Sequence, residues 1–259
     1  MVRTLSYPAA LAILLAGMEA AASPPVQSVL EDGFTGVALY QGQAMAMNQV
    51  GFTQVSATWV APTIAGAPSK CTAFARYAPW VGLQRTGSDV LQAGFAANTP
   101  CGGGQAQYSV FYNWYWCPGG GCVSYGAPQA EQMSVKPGDV VSAWVWYSPK
   151  DGLGHALILD VTTGDAVGGS IKPPFPANAP PMSPCCSTAE WIVEGDTVET
   201  GATAPFRSLV MLDAWAIDAA GAAHSPGGDD GAGTYLIQAA DGTATVELSA
   251  PALVRFSSP

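Results

Sequence analysis

Cationic side chains are scarce in this chain. Lys and Arg number 9 against 19 Asp and Glu, and charged residues of both signs make up 11% of 259. A nucleic-acid binder needs clustered cations for its phosphate contacts, and none are present. Histidine is scarcer still: His155 and His224 lie in unrelated contexts, and the cysteines do not space as ligand pairs with them. That argues against zinc, which needs four ligands, and no metal or other cofactor is expected. After residue 22 no apolar run approaches the roughly 18 residues of a membrane-spanning helix, so no membrane association is expected. No GxSxG elbow, paired D-T/S-G motif or Lys-Ser/Thr after CGGGQ (101–105) occurs, which disfavours esterase-type, pepsin-type and P-loop chemistry.

What is abundant is apolar and turn-forming. Hydrophobic residues reach 49%, with 30 Gly and 21 Pro, which excludes a disordered chain. No helical 3.6 period of useful length appears, and no repeat of 20–50 residues. Short β-rich runs are expected at 55–60, 90–95, 108–116, 140–148, 156–161, 189–194, 208–217 and 245–249. Between them lie KPGD (136–139), TTGD (162–165), the Pro-rich 173–184 and the Gly-Ala-rich separator after 218. This is the pattern of an all-β sandwich or barrel. Residues 52–259 read as one domain, and 23–51, without clear periodicity, as a loose N-terminal stretch or short propeptide.

Residues 1–22 read as a secretory signal peptide: Arg3 in the n-region, an apolar Ala9–Leu15 stretch and a small-residue end at 20–22. Export to an oxidising compartment makes disulfides the expected role of Cys71, Cys101, Cys117, Cys122, Cys185 and Cys186. Cys117 and Cys122, flanking PGGG, are the favoured local pair; the adjacent Cys185 and Cys186 are expected to find separate, distant partners. Without Arg3 and Glu19, eight basic and eighteen acidic side chains remain. With all carboxylates protonated the charge cannot exceed about +11, which limits cationic self-repulsion and predicts tolerance of acid.

Two strands carry candidate chemistry. In VLQAGF (90–95), Leu91, Ala93 and Phe95 share one face, which puts Gln92 on the other beside Gly94. In AEWIVE (189–194), Ala189, Trp191 and Val193 form the apolar side, so Glu190 and Glu194 project oppositely. The two glutamates would stand roughly 13 Å apart, too far for a glycosidase pair on one strand. Aromatics in 111–116 cover both faces of their strand, some in the core and some along a groove. His155, in the apolar GHALILD, reads as a structural residue rather than a triad base.

The order TWVAPT (58–63), PWVGL (79–83), LQAG (91–94), YNWY (112–115), PGD (137–139), TTG (162–164) and AEWIVE (189–194) resembles the glutamic peptidases, also called eqolisins. The likeness runs from about residue 52 to 217. It implies a lectin-like sandwich of two large antiparallel sheets and a catalytic dyad of Gln92 and Glu190. Trp80 of the WVG motif would line the same site, with Tyr112 and Trp114 as further substrate contacts. It implies a secreted, monomeric, pepstatin-insensitive acid endopeptidase acting on protein or peptide substrates. Ionised Glu190 would activate water and the Gln92 amide would stabilise the oxyanion. A Glu with a reference pKa near 4.3 suits such work in acid. The chain departs from the family at Leu83, Gln84 and Arg85, where Ile-Asp-Gly is usual, at Ala93 for Thr, and at Asn113 for Glu. The competing expectations are a non-catalytic lectin-like sandwich binding carbohydrate or peptide, and a degenerate peptidase that keeps the dyad.

Overall fold

The computed structural model describes residues 27–31, 34–40, 51–64, 74–85, 89–117, 123–126, 133–174, 186–195, 206, 208–228, 233–239, 245–250 and 252–257. The signal peptide expected over 1–22 and the Cys117–Cys122 pairing lie outside them. Cys101, Cys117 and Cys186 are disulfide-bonded.

The described elements are strands, in two eight-stranded sheets. The first sheet contains β1 (Gln27–Glu31), β2 (Phe34–Tyr40), β4 (Phe74–Gln84), β5 (Asp89–Pro100), β6 (Gln107–Trp116), β7 (Val123–Tyr125), β11 (Thr188–Gly195) and β14 (Gly233–Ala239). Its order is β1-β14-β2-β11-β4-β5-β6-β7, antiparallel except where β1 runs parallel to β14. The second contains β3 (Phe52–Val60), β8 (Val140–Ser148), β9 (Leu153–Asp160), β10 (Ala166–Ile171), β12 (Ser208–Asp218), β13 (Ala223–His224), β15 (Thr245–Ala250) and β16 (Leu253–Ser257). It runs β10-β9-β8-β3-β12-β16-β15, with β13 attached to β12.

Alternation explains the sandwich. In β3, Phe52, Val55, Ala57 and Trp59 point inward, and in β8 Val141, Ala143, Val145 and Tyr147 do the same. They meet Leu91, Ala93, Phe95, Trp114 and Trp191 of the first sheet in one continuous core. Polar ties cross it: the Trp191 indole N–H donates to the Ser56 carbonyl at 3.0 Å, and the Tyr108 hydroxyl to the Pro62 carbonyl at 2.6 Å. Reciprocal backbone bonds of 2.8 and 2.6 Å join Phe52 and Cys186.

The sandwich of two large antiparallel sheets is as expected. The expected loose stretch 23–51 contains β1 and β2. β2 lies between β14 and β11, and Val37 and Leu39 are fully buried in the core. Its sequence, FTGVALY, has a glycine and a small residue on the face away from the core, so only one side of its alternation is apolar and bulky.

Candidate active site

The site is built on the outer face of the first sheet, where register decides who meets whom. Glu190 on β11 pairs with Gly82 on β4, and Gly82 pairs with Gln92 on β5. Gln92 in turn pairs with Asn113 on β6, and Glu190 with Ala38 on β2. Registered partners share a face, so Glu190, Gln92 and Asn113 rise from one row. Glu190 and Gln92 are separated by two strand spacings, about 10 Å between backbones. The residue between them is glycine, and the space above it is occupied by the ring of Trp80 from the same strand.

Both groups are buried, at 8% and 7% exposure, which sets them apart from the solvated polar residues of an ordinary outer sheet face. A small apolar cluster separate from the core lies on the same face, to one side of the row: Ala78, Trp80, Ala96, Phe111 and Ile192. The Trp80 ring lies over Gly82, where an added Cβ would come within 2.7 Å of it and 2.9 Å of the Val90 methyl. The Trp80 indole N–H donates to Glu194 Oε2 at 3.1 Å, which fixes the ring beside the row. Glu194 shares the face of Glu190, two same-face positions further along β11 with Ile192 between them.

Tyr112 and Trp114, expected as substrate contacts, lie on the core side of the sheet. Because Gln92 is registered with Asn113, the even-numbered β6 positions face inward: Tyr112 pairs with Ala93 and Trp114 with Leu91. Both are buried in the core, and the Trp114 indole donates to Asp89 Oδ2 at 3.2 Å. They stand behind the sheet from Glu190 and Gln92. Phe111 and Asn113 occupy the site face instead. Asn113 Nδ2 donates to Ser124 Oγ at 3.1 Å, while its Oδ1 is buried without a hydrogen-bond partner. The alternation within 111–116 was visible, but its phase was not. Phase depends on the register of the β5–β6 hairpin, and a six-residue connection at 101–106 does not set that from sequence. Of the departing positions, Gln84 lies on the site face, registered with Thr188, whereas Leu83 is core.

The row thus brings a carboxylate, able to take a proton when ionised, and a neutral amide, able to donate a hydrogen bond, to one face on either side of Gly82, with the Trp80 ring packed over that glycine. Among the described residues no cluster of three His, Cys, Asp or Glu could hold a metal ion.

Comparison with known proteins gives the same direction. Scytalido-glutamic peptidase, solved with a transition-state analog inhibitor, superposes with a TM-score of 0.61 at 20% identity, covering 89% of this chain and all of that one. SCP-B, an eqolisin solved with the tripeptide Ala-Ile-His, gives 0.58 at 21% identity over the same shares. Aspergilloglutamic peptidase from Aspergillus niger gives 0.50 at 19%, covering 71% of this chain and 99% of that one. At such identities these likenesses establish the sandwich fold. No curated protein sequence matches the chain. The Peptidase A4 family profile matches residues 40–253. That span is most of the sequence and includes every residue of the row, and the chain belongs to the Peptidase A4 family, the eqolisin peptidases.

Proposed function

We propose that this peptidase is a secreted acid endopeptidase that cleaves unfolded proteins through Gln92 and Glu190. The observation that carries the reading is the row Glu190–Gly82–Gln92 on adjacent strands, buried on the face opposite the core. Ionised Glu190 takes a proton from a water whose oxygen bonds to the scissile carbonyl carbon. The Gln92 side-chain N–H donates to the resulting oxyanion. Glu190 then passes the proton to the amine nitrogen as the C–N bond breaks. An amide keeps its donors at every pH, so the partner of Glu190 does not change role in acid. Trp80, held by Glu194, forms the surface over which the substrate chain lies. A leader over residues 1–22 would export the chain, and it would act as a monomer without metal.

The test is digestion of an unfolded protein between pH 2 and 6 with pepstatin present, comparing wild type with Glu190→Gln and Gln92→Ala. We expect activity peaking in acid, resistant to pepstatin and abolished by Glu190→Gln. Gln92→Ala should lower kcat by about 10²–10³-fold, the usual cost of an oxyanion donor. A folded Glu190→Gln variant with wild-type turnover would sink the mechanism.

A further inference from the structure

A combination of hydroxyl, imidazole and carboxylate lies on the opposite side of the sandwich, on the outer face of the second sheet. Ser170 on the edge strand β10 is in register with His155 on β9, and its Oγ is 3.0 Å from His155 Nδ1. The other ring nitrogen, Nε2, lies 3.1 Å from Asp151 Oδ2 and 3.4 Å from Oδ1, in the turn joining β8 to β9. Trp146, registered with His155 from β8, stacks on the imidazole with centroids 5.0 Å apart and planes 10° from parallel. The sequence suggested a structural histidine; the fold gives it a partner on each nitrogen.

Those partners fix the direction of the hydrogen bonds. The Leu153 amide donates to Asp151 Oδ1 at 3.0 Å, and this bond, with help from Ser148 and His155, holds the carboxyl below its ordinary pKa. An ionised carboxylate only accepts, so Nε2 must carry the ring proton. The lone pair of the neutral imidazole is then at Nδ1, and Ser170 must donate its hydroxyl proton to it. A hydroxyl donating to a base that is oriented by a carboxylate is the arrangement that activates serine, here with the two ring nitrogens exchanged relative to the familiar triad.

The surroundings suit a small substrate. Ser170 is exposed, and with His155 it borders a shallow, open surface depression of about 300 Å³ also lined by Trp146, Leu157, Ala166 and Gly168. β10 ends its sheet, and the Asp160 amide bonds the Asp165 carbonyl at 2.9 Å, which sets the alternation of the β9–β10 ladder. By that alternation the amides of Gly168 and Ser170 point away from β9, toward the open edge, where an oxyanion would need donors.

We propose that Ser170, His155 and Asp151 form a second hydrolytic site, specific for short-chain carboxylic esters and independent of Glu190. Ser170 Oγ bonds to the ester carbonyl carbon as its proton passes to His155 Nδ1. The carbonyl–alkoxy bond breaks, and the alkoxy oxygen leaves as alcohol with that proton. A water then gives a proton to His155 and its oxygen attacks the acyl group, releasing the carboxylic acid while Ser170 regains its hydrogen. Nδ1 must be unprotonated to act as the base, so the reaction is tested near neutral pH. Asp151 is the charged group the ring touches, and its neighbours on the flanking strands, Trp146 and Ser170, are neutral.

The test uses the full chain at pH 7.5. Wild type, Ser170→Ala, His155→Gln and Asp151→Asn are treated with a fluorophosphonate probe, and the adduct is mapped by mass spectrometry of peptides. Hydrolysis of p-nitrophenyl acetate is followed in parallel. We expect one adduct, on Ser170, lost when the protein is denatured before labelling. Labelling and hydrolysis should fall by about 10²-fold or more in Ser170→Ala and His155→Gln, and by at least about tenfold in Asp151→Asn, which no longer fixes the tautomer. No adduct on Ser170 of the folded protein, or equal ester hydrolysis by wild type and Ser170→Ala, overturns the proposal. Ser170 is exposed on an edge strand, so its truncation does not threaten the fold.

Discussion

Gly82 is the smallest residue in the row and the one with least freedom to change. Its neighbours on either side are Glu190 and Gln92, and the space above it is taken by the Trp80 ring. An alanine methyl would stand within 2.7 Å of that ring and 2.9 Å of Val90, so the indole must shift and strain its 3.1 Å bond to Glu194. Displacements of about 1 Å at a reacting centre cost on the order of 10²-fold in rate. Gly82→Ala should therefore lose most peptidase activity while its near-UV circular dichroism keeps the form of a folded protein. Retained kcat with a shifted Trp80 fluorescence would show that ring placement does not matter to turnover.

Among elements, β2 and the β12–β13 turn make the sharpest predictions. Leu39 on β2 is fully buried, so Leu39→Ala should destabilise the protein by about 2–5 kcal/mol, read by urea denaturation. A removable propeptide would show no such dependence. At the end of β12, Asp218 accepts hydrogen bonds from the Ala220 and Ala222 amides at 2.8 and 2.9 Å and contacts His224 Nε2 at 3.0 Å. Burial pushes its pKa up, but the bond to His224 and the two amides outweigh this and leave it lowered. A lowered folded value means stability that is present above the unfolded-state pKa near 3.9 and lost as pH falls through the folded one. Asp218→Asn should thus lower Tm at pH 6 by about 2–4 °C, the effect of about 1 kcal/mol. The difference should shrink as pH falls below the unfolded-state value and close once the wild-type carboxyl is protonated in the folded protein. Strands with inner-face alternation, such as β3, β8 and β11, were legible in the sequence because their apolar sets repeat every second residue. β4 and β10 were not. FARYAPWVGLQ is buried on both faces around the site, and AVGGSI has too few bulky residues to show a period. Glu190 and Gln92 were placed on a common kind of face by that same alternation. Their alignment across Gly82 was not, since register between distant strands is a tertiary property.

For the molecule as a whole, charge sets the tolerance to acid. The chain carries −10 at pH 7 and only 9 Lys and Arg, so full protonation leaves a modest positive charge spread over two large sheets. The near-UV signal should persist to about pH 2, and its disappearance above pH 4 would show that paired carboxylates such as Asp218 outweigh the limited repulsion. The strand order has a further consequence, for the time at which activity can arise. β4, β5 and β6 are successive hairpin neighbours, but the strand bearing Glu190 enters about a hundred residues later, flanked by β2 from near the start of the chain. Pairings of such long range close slowly, because loop-closure entropy is lost before contacts compensate it. A chain synthesised only as far as residue 170 therefore holds Gln92 with no Glu190 to face it. If Glu190 and Gln92 act as proposed, the emerging polypeptide cannot digest itself or its neighbours, and catalytic competence appears only once β11 has been made and threaded between its two partners.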